Sequence, residues 1–258
     1  MSDALQLEKR GHTAILTFNN PPAHTWTPAS LLQLIDIVEQ LNADKDNFSL
    51  VITGDGEKFF SAGADLNQFN HDDKAKSFDF SYAFGKSFET LANYKGVSIA
   101  AINGYAMGGG LEVALSCDVR IAESHAQMAL PECAVGLLPC GLGSQQLAWL
   151  IGEQWAKRMI LLGERINAEK ALQIGLISEI VEKGQGVEHA LQLAGNVGKQ
   201  SPTSVRYCKE LIMAARQQPL NSNFSSEREQ FVKLWDSQDQ KEGVSAFIEK
   251  RKPEWKNA

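Results

Sequence analysis

The sequence lacks the features of a membrane protein, a disulfide framework or a nucleic-acid binder. No apolar run is long enough to span a bilayer, and the start of the chain resembles neither a signal peptide nor an arginine-rich transit segment. A formal net charge of −6 argues against a general polyanion-binding surface. These absences predict a cytoplasmic protein with neither a membrane nor a nucleic-acid partner.

Cysteine is also scarce. The four cysteines show neither C-x-x-C spacing nor a disulfide framework, which is consistent with a reducing compartment. We interpret all four as buried or pocket-lining thiols and expect no metal site; they are Cys117, Cys133, Cys140 and Cys208.

Strand-like and helix-like segments alternate along the first part of the chain. With 258 residues, 43% of them hydrophobic, the chain can bury one large core or a main domain with a smaller appendage. The alternation predicts an α/β core over residues 1–200. From residue 201 onward only helical patterns are apparent, so we predict a C-terminal helical region over 201–258. The predicted strands are 14–18, 50–53, 97–102 and 119–122, and the predicted helices after the first are 77–93, 111–116, 144–161 and 167–174.

The first predicted helix has a clear start signal. Thr27 is a suitable N-cap, and Pro28 fits the first turn because its missing N–H has no partner there. Its apolar face is predicted to consist of Leu31, Leu34, Ile35, Val38 and Leu41.

Three consecutive glycines at 108–110 follow a β-rich segment and precede a short predicted helix. Because glycine has no Cβ, the backbone can turn sharply here and approach a ligand closely. A helix N-terminus offers unpaired N–H groups to an oxygen that becomes negative during a reaction. No Gly-Lys-Ser/Thr follows, and Val113 stands where a dinucleotide fingerprint needs its last glycine. A tight turn with Glu112 as an ordinary first-turn acid remains an equally simple interpretation.

The glycine run is one of several motifs that occur in a fixed order. They are Ser-Ala-Gly-Ala-Asp at 61–65, Ile-Asn-Gly-Tyr-Ala-Met-Gly-Gly-Gly at 102–110, Pro-Glu at 131–132 and Glu-Gly-Val-Ser-Ala-Phe-Ile-Glu-Lys-Arg-Lys-Pro at 242–253. From about residue 5 to 253 the chain closely resembles the crotonase family, also called the enoyl-CoA hydratase/isomerase superfamily. The resemblance implies an α/β fold, a spiral of ββα units with a C-terminal helical region, and a homotrimer or hexamer.

The resemblance also implies a substrate and a set of contacts. The substrate would be an acyl-CoA thioester, so coenzyme A arrives as part of the substrate and no separate cofactor is expected. The amides of Ala64 and Gly109 would form an oxyanion hole for the thioester enolate. Lys58 would lie near the nucleotide phosphates, although a solvated loop lysine is the alternative. Further substrate contacts would come from Ala62, Asp65 and Cys140, while the tail residues Lys250, Arg251 and Lys252 are more simply interpreted as a solvated helix end.

Glu112 and Glu132 match the two positions that hydratases of this family usually fill with glutamate. Hydration of a 2-enoyl thioester needs a base for the water that attacks C3 and an acid that protonates C2. By resemblance, Glu112 acts on the water and Glu132 supplies the C2 proton. Two carboxyls that share a water repel when both are ionised, so one pKa should be raised and the pair should titrate as a unit. We therefore predict an enoyl-CoA hydratase, a hydro-lyase, with a Δ3,Δ2-enoyl-CoA isomerase or another acyl-CoA enzyme of the superfamily as the alternative.

Four positions depart from the family pattern. Pro22 and Asn67 stand where some members have lysine, Cys140 stands where glycine is usual, and Gln146 stands where arginine is common. The amide of Cys140 can still donate to a water or a product hydroxyl, but its side chain adds bulk. We interpret His24 and Trp26, which lie in the first departing stretch, as packing or pocket-wall residues.

Two other classes of function are disfavoured. A serine hydrolase would need the order Gly-x-Ser-x-Gly, which residues 141–145 do not have. An RNA-binding role would need a basic stripe or a lysine-rich helix, and neither is apparent in this acidic sequence.

Overall fold

The structure is a computed structural model that describes residues 4–216 and 220–258. The strands within these ranges are β1 Leu5–Arg10, β2 Thr13–Phe18, β3 Ser49–Gly54, β4 Phe59–Ser61, β5 Val97–Ile102, β6 Tyr105–Met107, β7 Val119–Glu123, β8 Gln127–Ala129, β9 Ile166–Asn167 and β10 Glu179–Val181. The α-helices are α1 Pro28–Ala43, α2 Lys74–Ala92, α3 Gly109–Leu115, α4 Gly143–Leu161, α5 Ala168–Gln173, α6 Gly186–Val197, α7 Pro202–Ala214, α8 Phe224–Lys233 and α9 Gln238–Glu249. Short 3₁₀ helices cover Leu66–Phe69, Glu132–Val135, Leu220–Asn223 and Leu234–Asp236.

The strands form two sheets that the chain visits alternately. The larger sheet has the order β1-β2-β3-β5-β7-β10, and the smaller has the order β4-β6-β8-β9. Within the larger sheet only β1 and β2 pair antiparallel. Three successive strand pairs each contribute their first strand to the larger sheet and their second strand to the smaller sheet, and a helix follows each pair. The pairs are β3–β4, β5–β6 and β7–β8. This repetition is a spiral of ββα units, and it confirms the predicted α/β class.

The central strands are buried on both faces, which explains their nearly continuous apolar sequence. Leu50 and Ile52 of β3 face the larger of two core clusters, beside α1, α2 and α3. Val51 faces the opposite side, where Ala190 and Ala194 of α6 cover the sheet. The core therefore consists of helices packed on both faces of the six-stranded sheet.

The first helix begins at the predicted signal. The Thr27 side chain accepts a hydrogen bond from the Ser30 amide, and the Ser30 side chain accepts from the Thr27 amide. The predicted apolar face is wrong at one position, because Ile37 is buried and Ile35 is only half-buried. Ile37 lies close to the same stripe, three residues after Leu34 and four before Leu41, whereas Ile35 falls at its edge.

The described part of residues 202–258 contains helices and no strand. Asp239, fully buried in α9, accepts a hydrogen bond from Thr203 at 3.0 Å and from the backbone amide of Lys256 at 2.8 Å. This carboxylate therefore ties α7, α9 and the end of the chain together. Eight large apolar side chains in the described part of the helical region are exposed, namely Ile212, Phe224, Phe231, Val232, Trp235, Val244, Phe247 and Ile248. Among the described residues, no helix combines the length and apolar character needed to cross a membrane.

Candidate active site

The glycine turn at 108–110 begins α3 and leaves an unpaired amide at its start. Gly108 has a φ of 54°, in the left-handed region that glycine adopts freely, and Gly109 is the first residue of α3. The amide at that helical position has no intrahelical acceptor. A Cβ on Gly109 would lie 2.8 Å from the Phe84 ring, so the turn is closely packed on its buried side.

The loop at 61–65 lies directly against this turn. A Cβ on Gly63, whose φ is 88°, would lie 2.6 Å from the Met107 carbonyl oxygen and 3.1 Å from the Gly109 nitrogen. Trp26 donates to the Gly63 carbonyl and accepts from the Asp65 amide, as in a parallel ladder. Because successive amides of an extended chain point to opposite sides, the Ala64 N–H points away from Trp26. The close approach of Gly63 thus places the loop at 61–65 directly against the backbone of Gly109.

A cavity of about 1040 Å³ opens beside these two loops. Both predicted amide donors and both predicted glutamates line it, and its other walls are mostly apolar. The lining includes Ala62, Ala64, Asp65, Phe69, Phe84, Gly109, Glu112, Glu132, Leu137 and Cys140. The fold therefore brings together seven of the eight residues predicted to make oxyanion, acid–base or substrate contacts, all except Lys58.

Glu112 is almost fully buried, and one of its oxygens is fixed by two amides. Its Oε1 accepts hydrogen bonds from the amides of Gly141 at 2.8 Å and Gly143 at 2.9 Å. Burial raises the pKa of this carboxyl to about 7; the two amides oppose the shift, and the charge of Glu132 adds to it. Glu112 is thus a carboxyl that can be ionised or protonated near neutral pH.

Glu132 begins the 3₁₀ helix Glu132–Val135 and faces the glycine turn. A Cβ on Gly108 would lie 3.2 Å from its Oε1. Its Oε2 is buried and has no hydrogen-bond partner among the described residues. Burial raises the pKa of Glu132 to about 7. An oxygen without a donor favours the neutral acid, in contrast to the amide-held oxygen of Glu112.

Cys140 lies in the same cavity as the two carboxyls. Burial, with the charges of Glu112 and Glu132, raises the pKa of its thiol to about 12. The thiol therefore stays neutral near pH 7. It forms part of the cavity wall and is not a nucleophile at this pH.

Of the other predicted substrate residues, Asp65 lines the cavity and Lys58 does not. Lys58 is exposed, does not line the cavity, and has its ammonium over the Phe59 ring at 5.2 Å from the centroid. Asp65 lines the cavity and accepts from the backbone and side chain of Asn67. Lys74, a basic residue of α2 that sequence reasoning missed, also lines the cavity. Arg251 forms ion pairs with Glu242 and Glu249, as a solvated helix end would.

The residues at the remaining departures pack elsewhere. Gln146 accepts a hydrogen bond from Arg216 and lines a second cavity, of about 750 Å³, between the core and the C-terminal helices. Trp26 is buried, with its ring edge-on to Phe18 and Phe88, and His24 is buried between Asn20 and Asp55. Both residues pack as predicted.

The prediction for the cysteines is wrong at one position. Cys117 is buried, Cys140 lines the cavity of the carboxyl pair, and Cys208 lines the second cavity although it is exposed. Cys133 is exposed and lines neither cavity. It follows Glu132 in a 3₁₀ helix, where successive side chains point about 120° apart, so it turns outward when Glu132 turns inward.

The sequence was compared with known families and proteins. The family described as Enoyl-CoA hydratase/isomerase matches residues 8–258. The chain belongs to this family. The predicted family is therefore confirmed.

Individual proteins and solved structures are also similar to this chain over nearly its whole length. The chain is 35% identical to a short-chain-enoyl-CoA hydratase of Clostridium acetobutylicum, with 96% of this chain and 95% of the relative covered. The solved structure of Pseudomonas aeruginosa DspI is 57% identical, with a TM-score of 0.96 and coverage of 98% of this chain and 97% of the other. An enoyl-CoA hydratase from Bacillus anthracis is 32% identical, with a TM-score of 0.94 and coverage of 99% and 100%. These structures confirm the predicted fold and its C-terminal helical region.

Proposed function

We propose that the protein is an enoyl-CoA hydratase that adds water across the C2–C3 double bond of a 2-enoyl-CoA thioester. The observation that carries this proposal is the pair of buried carboxyls, both with a pKa raised to about 7, on one cavity with two backbone amides. The hydratase names of the relatives support the same class of enzyme, a hydro-lyase.

The two carboxyls differ in a way that assigns their roles. The amides of Gly141 and Gly143 stabilise the ionised form of Glu112, which suits the base that deprotonates water for attack at C3. The donor-free Oε2 of Glu132 favours the protonated form, which suits the acid that protonates C2. The proton lost by water is then held on Glu112 while Glu132 gives up its own.

The electron pair displaced from the double bond moves through C2 toward the thioester oxygen. We assign the amides of Ala64 and Gly109 as the donors that stabilise this oxygen. The close approach of Gly63 to Gly109 supports the assignment, because it places two backbone donors at one edge of the cavity.

The proposal is tested by an assay of crotonyl-CoA hydration over a series of pH values. The loss of the enoyl thioester absorbance measures the rate. Activity should fall below neutral pH as Glu112 gains a proton, and above neutral pH as Glu132 loses one. We expect a bell-shaped profile with its maximum near pH 7, whose two limbs belong to the coupled pair. Absence of hydration with crotonyl-CoA and with longer 2-enoyl thioesters would contradict the proposal.

The same cavity would serve a Δ3,Δ2-enoyl-CoA isomerase, since both reactions pass through a thioester enolate. A 3-enoyl thioester supplied in a parallel assay separates the two activities. Its conversion to a 2-enoyl thioester that is not hydrated further would favour the isomerase.

We also propose a homo-oligomer, a trimer or hexamer, because large apolar side chains of the C-terminal helices lack cover. Phe247 and Ile248 in α9 are 86% and 73% exposed. Sedimentation should show one species at three or six times the mass of the chain. Replacing both residues by serine should shift it toward the monomer, since surface of this kind marks an interaction site.

A matched control comes from an exposed apolar residue outside the C-terminal helices. Leu162→Ser, at the end of α4 and 76% exposed, should leave the sedimenting species unchanged. A monomeric wild-type chain at micromolar concentration would contradict the proposed assembly. The contact of Lys58 with phosphates and the cytoplasmic location stay predictions.

A further inference from the structure

Leu142 has a left-handed backbone at the start of α4. Its φ is 75° and its ψ is −7°, a region that leucine, unlike glycine, enters only at an energetic cost. Its carbonyl accepts from the amides of Gln145 and Gln146, so it is the N-cap of the helix. Strain of this kind persists only where the surrounding structure enforces it, and it is concentrated at functional sites.

Leu142 stands between the two amides that hold Glu112. Gly141 and Gly143 donate to the same oxygen, Oε1, at 2.8 and 2.9 Å. A left-handed residue turns the chain so that neighbouring amides line one concavity, an arrangement that binds anions. The N-cap itself provides no side-chain acceptor, so the Glu112 carboxylate caps α4 from a distant part of the chain.

The two flanking positions have no room for a side chain. A Cβ on Gly143 would lie 2.7 Å from Oε1 of Glu112, and a Cβ on Gly141 would lie 2.4 Å from the Phe88 ring. Leu142 is half-buried and packs against the large core cluster. Within residues 141–143, its side chain is therefore the anchor that fixes the loop to the core.

We propose that Leu142 is a positioning residue for hydration: its packed side chain enforces a left-handed backbone, and that conformation holds the amides of Gly141 and Gly143 on Oε1 of Glu112. The other oxygen, Oε2, is then left to act on water. This inference rests on the proposed function for its catalytic meaning, but its structural part concerns Glu112 alone. The amide bonds keep the ionised form of Glu112 accessible in a buried site, against the effect of burial.

Three substitutions separate the backbone conformation from the anchor. Leu142→Gly keeps the left-handed conformation without strain and removes the anchor. Leu142→Ala also removes the anchor but retains a Cβ, and Leu142→Val adds a β-branched side chain that strongly disfavours positive φ. Leu162→Val, at the opposite end of α4, is the matched control.

We expect Leu142→Val to lower kcat by roughly 10- to 100-fold, because small misplacements of a reacting group have effects of this size. Loss of the amide bonds should also raise the pKa of Glu112, which moves the acidic limb of the kcat profile to higher pH. Leu142→Ala should show the same changes to a smaller extent. Leu142→Gly should keep the wild-type acidic limb with only a modest loss of kcat, and Leu162→Val should match the wild type in both.

Titration of ¹³C-labelled glutamate carboxyls gives a readout that does not need activity, with Glu112→Gln assigning the signal. A Glu112 pKa that rises in Leu142→Val or Leu142→Ala, but not in Leu142→Gly, supports the inference even if hydration itself is absent. An active wild type whose Glu112 titration is the same in all folded Leu142 variants would overturn it. A loss of folded protein alone would lower activity without moving either the titration or the pH profile.

Discussion

Replacing Glu112 by glutamine should lower hydration by roughly 100- to 10,000-fold, the usual effect of removing a positioned acid or base. Glutamine keeps an oxygen that can accept from the amides of Gly141 and Gly143, so the start of α4 should stay capped. It cannot take a proton from water. Initial rates with crotonyl-CoA, together with binding of a saturated acyl-CoA, should show that chemistry is lost while binding survives.

Glu132→Gln should have an effect in the same range, because the amide cannot protonate C2. If the two carboxyls act as a unit on one water, the double variant should be little worse than the poorer single variant. Glu123→Gln is the matched control, since Glu123 is a buried carboxyl that accepts from the Gly186 amide at 3.0 Å and does not line the cavity. Robust hydration by Glu112→Gln would remove the two-glutamate mechanism.

Replacing Gly109 by proline should lower kcat by roughly 100- to 1000-fold, as expected when one oxyanion donor is removed. Gly109 is the first residue of α3, a position where proline is tolerated because its missing N–H has no intrahelical acceptor. The substitution therefore removes the N–H with limited damage to the helix. Circular dichroism and steady-state kinetics on the same sample check both points.

Gly109→Ala is the control for steric effects. It retains the N–H, but its Cβ would lie 2.8 Å from the edge of the Phe84 ring, which must move slightly. We expect a much smaller loss than in Gly109→Pro. If the alanine variant lost as much activity as the proline variant, crowding and not the missing donor would explain the effect.

Long elements with local signals were predictable from the sequence. The first helix begins where Thr27 and Pro28 indicate, because capping and the fixed φ of proline act within one turn. Strands such as β4, β6 and β8 escaped prediction because three residues are too short to show a period. Gly152, with a φ of 77° inside α4, likewise gave no boundary signal in an otherwise helical pattern.

The site was predictable where a motif marks a backbone feature. Ala64, Gly109, Glu112 and Glu132 were singled out through motifs, and the fold places all four on one cavity. The contact between Glu112 and the amides of Gly141 and Gly143 joins segments about thirty residues apart, so no local pattern reveals it. Leu142 gave no signal either, since a left-handed leucine is contrary to its own propensity.

The two carboxyls also link the stability of the fold to pH. An ordinary glutamate has a pKa of 4.5, whereas Glu112 and Glu132 reach about 7 in the folded chain. Between these values the folded chain binds more protons than the unfolded chain, so the free energy of unfolding decreases as pH rises through this interval. The contribution is complete below the unfolded pKa and is lost above the folded one. The raised pKa values that make the pair reactive near pH 7 therefore lower the stability of the fold as pH rises through this interval. A ligand that binds the protonated pair would bind with uptake of protons and would offset this loss of stability.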